Sequence, residues 1–106
     1  MKAEEIIRIL IEQKGYDKVQ TQRLEPKIDA LPQEIREALE NWMTTGVPES
    51  PAYGGYNVER ILKMKPDMTV VGAYLALDWI RKDPQTAVRA LAAPVIRFVP
   101  GGKKKE

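Results

Sequence analysis

Residues 68–82 are the most apolar part of the sequence and read MTVVGAYLALDWIRK. A helix drawn through them has apolar side chains all the way round, with no polar face before Asp78, Arg81 and Lys82. Neighbouring elements must cover such a helix. We therefore expect a central helix at Met68–Lys82. A strand over 69–77 is the alternative, because Thr, Val and Tyr favour sheets.

The segments on either side have the spacing of amphipathic helices, with apolar residues at i, i+3, i+4 and i+7. Asn57 and Asp83 are typical N-cap residues, and proline suits the first helical turn. Helices are predicted at Ala3–Lys14, at Pro32–Thr45, in a short stretch after Asn57, and from Pro84 to about Ala93.

Two segments suggest extended backbone. Residues 18–24 alternate loosely, with Val19 and Leu24 on opposite faces, and residues 95–99 are apolar and bracketed by Pro94 and Pro100. The fold class is therefore predicted as all-α: a compact bundle of four to five short helices around the buried central helix. Residues 1–100 would form a single domain, and residues 101–106 a disordered basic tail.

The composition excludes several kinds of chemistry. The chain has no cysteine and no histidine, which removes thiolate nucleophiles, Cys and His zinc sites and the usual general base near neutral pH. Ser50 is the only serine and has no histidine to activate it. We therefore predict a protein that is not an enzyme, with no catalytic residues, cofactor or metal.

Charge and hydropathy bear on location and partners. The net charge of +2 comes from the tail, since residues 1–102 balance to zero, which disfavours nucleic acid as the main partner. The longest apolar stretch is too short to span a membrane, and the first residues, MKAEE, do not resemble a signal peptide. A cytoplasmic protein without membrane contact is expected.

Residues 46–56 form a long loop rich in proline and glycine, and it contains the candidate partner-binding residues Tyr53 and Tyr56. Two tyrosines around Gly54 and Gly55 resemble an aromatic clamp that could bind a peptide. The alternative is that both rings fold back and seal the core beneath the loop.

A second functional hypothesis concerns Arg60, Lys63 and Lys65. These basic residues precede a sharp turn into the central helix, as in a helix-turn-helix, and could contact nucleic acid. The helix after the turn, however, has almost no polar side chains to offer to base edges. The favoured hypothesis is therefore a non-enzymatic protein-interaction or adaptor module. A small helix-turn-helix-like DNA-binding regulator is the alternative.

The central helix leads to two further expectations. Asp78 has Arg81 at i+3 and Lys82 at i+4, which favours a structural ion pair over a functional carboxylate. Five short helices do not easily cover the whole apolar surface of the central helix. Two copies of the chain are therefore expected to associate and bury that surface between them. The predicted partner is thus another protein, including a second copy of this chain.

Overall fold

The computed structural model describes residues 1–93. It confirms the all-α class, and the described part contains more helices than the four to five predicted. In chain order they are α1 (Ala3–Glu12), α2 (Lys18–Gln22), α3 (Glu25–Asp29), α4 (Gln33–Thr45), α5 (Val58–Met64), α6 (Val70–Lys82) and α7 (Pro84–Ala92).

Helix α6 is the centre of the fold, as its apolar composition predicts. It packs against α4, α5 and α7, while α1 packs against α2, α3 and α4. Val71, Tyr74 and Leu77 are completely buried. They belong to one apolar cluster that also contains residues from α1, α3, α4, α5 and α7. Burial of these side chains is the main stabilising term for so small a domain.

The helix starts follow from capping chemistry. The side chains of Asn57 and Thr69 accept hydrogen bonds from the backbone N–H groups of Arg60 and Gly72, at 2.8 and 3.0 Å. Asp83 caps α7 in the same way, ahead of a proline in its first turn. At the end of α4, Gly46 has φ 77°, the left-handed conformation in which glycine is favoured.

The prediction of an extended segment at 18–24 is wrong. Asp17 accepts a hydrogen bond from the N–H of Gln20 at 2.8 Å and thereby starts the short helix α2. Thr21 is buried in this helix, whereas Val19 is 57% exposed. The weak alternation was misleading, because a five-residue helix has too few apolar positions to show a helical period. The predicted 95–99 segment and 101–106 tail lie outside the described residues.

Candidate functional site

One side of α6 is not covered by the neighbouring helices. Four residues spaced three or four positions apart form a line along this side: Met68, Gly72, Leu75 and Trp79. We call this line the α6 stripe. Its first three members are half-buried, and Trp79 is 40% exposed. The expectation that neighbours cover α6 on all sides therefore fails along the stripe.

The α6 stripe is the floor of an open groove with a volume of about 520 Å³, which we call the Trp79 groove. One wall is formed by Pro26 and Lys27 of α3 and by Ala30, which follows α3. Leu91 of α7 also contacts the groove. Most of the surface that lines it is apolar. A concave apolar surface with an exposed tryptophan has the character of a protein-binding site, since tryptophan is enriched among the residues that dominate binding energy.

The polar rim of the Trp79 groove is built around Asp78. Its carboxylate is buried, and it pairs with Arg81 Nη2 at 2.9 Å and with Lys82 Nζ at 2.9 Å. The predicted i+3 and i+4 ion pairs are confirmed. Both carboxylate oxygens are engaged, so the geometry assigns Asp78 to holding the last turn of α6 and the groove rim in place.

A second depression, at the N-terminus, is larger but polar. It has a volume of about 930 Å³ and is lined mainly by charged and polar side chains. Arg36 crosses it and donates hydrogen bonds to the carbonyl oxygens of Met1, Ile28 and Asp29. This arginine ties α4 to α3 and the chain start, which accounts for the cleft as a structural feature.

The two candidate tyrosines lie at the ends of a tight hairpin, the tyrosine hairpin, formed by residues 53–56. The N–H of each tyrosine donates to the carbonyl of the other, at 2.8 and 2.9 Å. Gly54 and Gly55 have φ values of 58° and 84°, as a type I′ turn requires. The sequence predicts only a loop here, and the turn is a finding of the structure.

Each tyrosine of the hairpin already has an internal partner. The hydroxyl of Tyr53 donates to the carboxylate of Glu34 on α4. Burial, followed by this hydrogen bond and the negative charge of Glu34, raises the pKa of Tyr53 to about 12. The ring of Tyr56 stacks with Arg60, whose guanidinium carbon lies 4.2 Å from the ring centroid. Both rings are half-buried against the core, which favours the sealing interpretation over the clamp.

The rest of the loop is anchored to the core by hydroxyl groups. Ser50 Oγ accepts a hydrogen bond from the N–H of Val58 at 2.9 Å. The hydroxyl of Tyr74, on α6, donates to the carbonyl of Glu49 at 2.8 Å and lies 3.2 Å from the carbonyl of Ala38. Burial, and secondarily the charge of Glu49, raises the pKa of Tyr74 to about 12. These contacts hold residues 49–50 of the loop against α5 and α6.

The basic residues proposed for nucleic acid do not form one free surface. Arg60 is engaged with Tyr56 and also donates to the carbonyl of Gly55 at 2.9 Å. Lys63 is exposed on α5, while Lys65 Nζ lies 3.0 Å from the carbonyl of Ala93. The helix that would have to enter the DNA groove is α6, which forms the core.

Comparisons with known proteins do not assign this chain to a class. No family model matches it, and neither the curated proteins nor the solved structures give a significant match. Within residues 1–93, no acidic residues group in a way that could hold a metal ion. In the same range, no helix has both the length and the apolar character needed to cross a bilayer.

Trp79 is not among the candidate site residues predicted from the sequence. The apolar perimeter of the central helix predicts core on every side, and no local pattern marks which side stays open. A usable indication was present in Gly72, Leu75 and Trp79, because these residues share one helical face. Only the positions of α3 and α7 show that this face is the uncovered one.

Proposed function

We propose that the protein is a non-enzymatic protein-interaction module that binds a short apolar segment of a partner protein in the Trp79 groove. The observation that supports this proposal is the exposed ring of Trp79 at the end of an apolar stripe on an otherwise buried helix. Covering an exposed tryptophan ring removes a large apolar area from water, at about 25 cal/mol per Å².

The groove is a better candidate than the tyrosine hairpin. Tyr53 and Tyr56 are engaged with Glu34 and Arg60, so a partner would have to displace those contacts before using the rings. In the described structure Trp79 has no such competing contact with a polar group. The rotamer freedom lost on binding is also small, because the ring stands on a rigid helix.

The rim determines which flanking charges fit. Lys27 places an exposed ammonium group at the groove, and Lys82 and Arg81 pair with Asp78, the one carboxylate that lines the groove among the described residues. The preferred ligand is therefore an apolar segment with acidic residues beside it. Such charge complementarity contributes more to specificity and association rate than to affinity.

Selection from a library of displayed random 12-residue peptides tests the proposal. We expect the full-length chain to enrich apolar peptides with acidic flanks, and Trp79→Ala to lose at least about tenfold in affinity for them, as at a binding hot spot. Val47→Ala is the matched control, because Val47 is 49% exposed and lies outside the groove. Enriched peptides that bind Trp79→Ala and the parent chain equally would contradict the proposal.

The same design separates the two candidate surfaces. Tyr53→Phe and Tyr56→Phe should leave binding of the enriched peptides unchanged if the groove is the site. Peptides that depend on these tyrosines and not on Trp79 would instead support the clamp hypothesis.

Self-association belongs to the proposal as a weaker expectation. Two copies that face each other along the α6 stripe would bury it. A second copy therefore needs to cover only this one side of α6, since the neighbouring helices cover the rest. Sedimentation equilibrium at micromolar concentrations should then detect association that Trp79→Ala reduces and Val47→Ala does not. A chain that stays monomeric throughout would remove this expectation and leave peptide binding to be judged separately.

A further inference from the structure

Gly72 is the only member of the α6 stripe without a side chain. It lies in the first turn of α6, where its N–H donates a hydrogen bond to Thr69 Oγ1 at 3.0 Å. Its φ is not positive, and glycine is, after proline, the residue least favourable in a helix. Neither the helix nor its backbone conformation therefore explains this glycine.

The space beside Gly72 is taken by the side chain of Met68. A methyl group added at position 72 would lie 3.1 Å from Met68 Cγ and 3.1 Å from Thr69 Oγ1, with Met68 Sδ at 3.8 Å. Apolar carbon atoms ordinarily pack at about 3.5–4.0 Å. These three are the atoms nearest to the added methyl, and none belongs to another helix. Met68 thus rests against bare backbone, in a hollow that exists because position 72 is glycine.

Met68 is well suited to leave this hollow. Its side chain is half-buried, and methionine has three rotatable bonds and a polarisable thioether that adapt to differently shaped neighbours. Its backbone is held, because the N–H donates to the carbonyl of Lys65 at 3.0 Å. The side chain can therefore change rotamer while the start of α6 stays in place. Since Met68 and Gly72 both line the Trp79 groove, this change would deepen the groove floor.

We propose that the largest apolar side chain of the bound partner segment displaces Met68 and packs against the backbone of Gly72. We call this hollow the Gly72 pocket. The inference rests on the proposed function and deepens it, because it makes Gly72 the residue that determines which ligand side chain fits. The occupant is the same apolar segment with acidic flanks, whose charge complements the exposed ammonium of Lys27.

A peptide series tests the size selection. The probe is a 12-residue peptide that is selected on the full-length chain and needs Trp79, with its largest apolar residue changed to valine or alanine. The parent should bind the original at least about tenfold more tightly than the alanine form. In Gly72→Ala this preference should disappear, because the added methyl fills the pocket. Val47→Ala should keep it, and a preference that survives unchanged in Gly72→Ala would overturn the proposal.

Met68→Ala is a second variant, which leaves Gly72 and the hydrogen bond from its N–H to Thr69 untouched. It empties the pocket in advance, so the preference for the largest side chain should be kept or increased. If Met68→Ala abolishes the preference, the ligand packs on Met68 where it now lies, and displacement is refuted.

The methyl signals of a chain labelled with 13C-methyl methionine follow the displacement directly. Saturation with the selected peptide should shift the Met68 signal, while the signal of Met43 stays in place, because Met43 is buried in α4 outside the groove. A Met68 signal that does not move when the peptide is bound would overturn the proposal.

The outcomes distinguish this inference from the proposed function. Peptides that need Trp79 but show the same size preference on the parent and on Gly72→Ala would remove the Gly72 pocket and leave the partner site standing. If no displayed peptide needs Trp79, the proposed function fails and the pocket fails with it.

Discussion

Removal of the Tyr74 hydroxyl is expected to destabilise the protein at neutral pH and to do the opposite in strong alkali. The side chain is completely buried, and its hydroxyl donates to the carbonyl of Glu49 at 2.8 Å. In Tyr74→Phe that carbonyl loses its partner in a part-buried contact. The expected cost is about 1–2 kcal/mol of unfolding free energy at pH 7.

The alkaline behaviour follows from the raised pKa of Tyr74, about 12 in the folded protein against about 10 in an unfolded chain. Between pH 10 and pH 12 the folded state therefore holds more protons than the unfolded state, and stability falls as the pH rises. Relative to pH 7 the parent loses about 1.4 kcal/mol by pH 11 and about 2 kcal/mol by pH 12, and Tyr74→Phe is spared this loss.

Urea denaturation at pH 7, 11 and 12 measures both effects. The parent should be the more stable protein at pH 7, the two should be nearly equal near pH 11, and the variant should be the more stable at pH 12. Tyr53 also has a raised pKa, but it is present in both proteins and cancels in the difference. Tyr56→Phe, which removes a hydroxyl at a half-buried site, is the control. A difference between parent and Tyr74→Phe that does not change with pH would contradict the raised pKa of Tyr74.

Three further substitutions test other parts of the structure. Gly55→Ala should cost about 1 kcal/mol or more in thermal or urea unfolding because φ is 84° there, whereas Gly54→Asn should be nearly neutral, since Asn-Gly suits a type I′ turn. Asp78→Asn should cost about 1 kcal/mol or more, and high salt should reduce this cost only in part, because the Asp78 carboxylate is buried while Arg81 and Lys82 reach solvent. Trp42→Ala should cost about 3–5 kcal/mol and Trp79→Ala clearly less, as the rings are 8% and 40% exposed; equal costs would mean that Trp79 is core.

The sequence predicts the long helices well because local rules decide them. Residues close together in the chain are enough to recognise each of these features. They are the apolar perimeter of α6, the N-caps Asn57 and Asp83, and Gly46 at the end of α4. The short helices α2 and α3 were missed for the opposite reason. Five residues make only one turn and a half, so burial of Thr21 and Ile28 against distant elements decides their conformation.

The candidate site was harder to predict than the fold. Tyrosines beside glycines suggest exposure, but Glu34 and Arg60, which hold the two rings, come from helices on either side of the loop in sequence. Conversely, Trp79 sits in a stretch whose composition is that of a core. Which apolar side chain remains exposed depends on where α3 and α7 stop covering α6, and that is a property of packing.

The most direct test of the interaction surface is the pair of indole N–H signals in a 15N-labelled protein, since Trp42 and Trp79 are its only tryptophans. During titration with a peptide selected on the chain, we expect the Trp79 signal to shift and saturate while the signal of the buried Trp42 stays in place. A bound peptide that leaves the Trp79 signal unchanged would contradict the claim that the Trp79 groove is where this protein binds its partners.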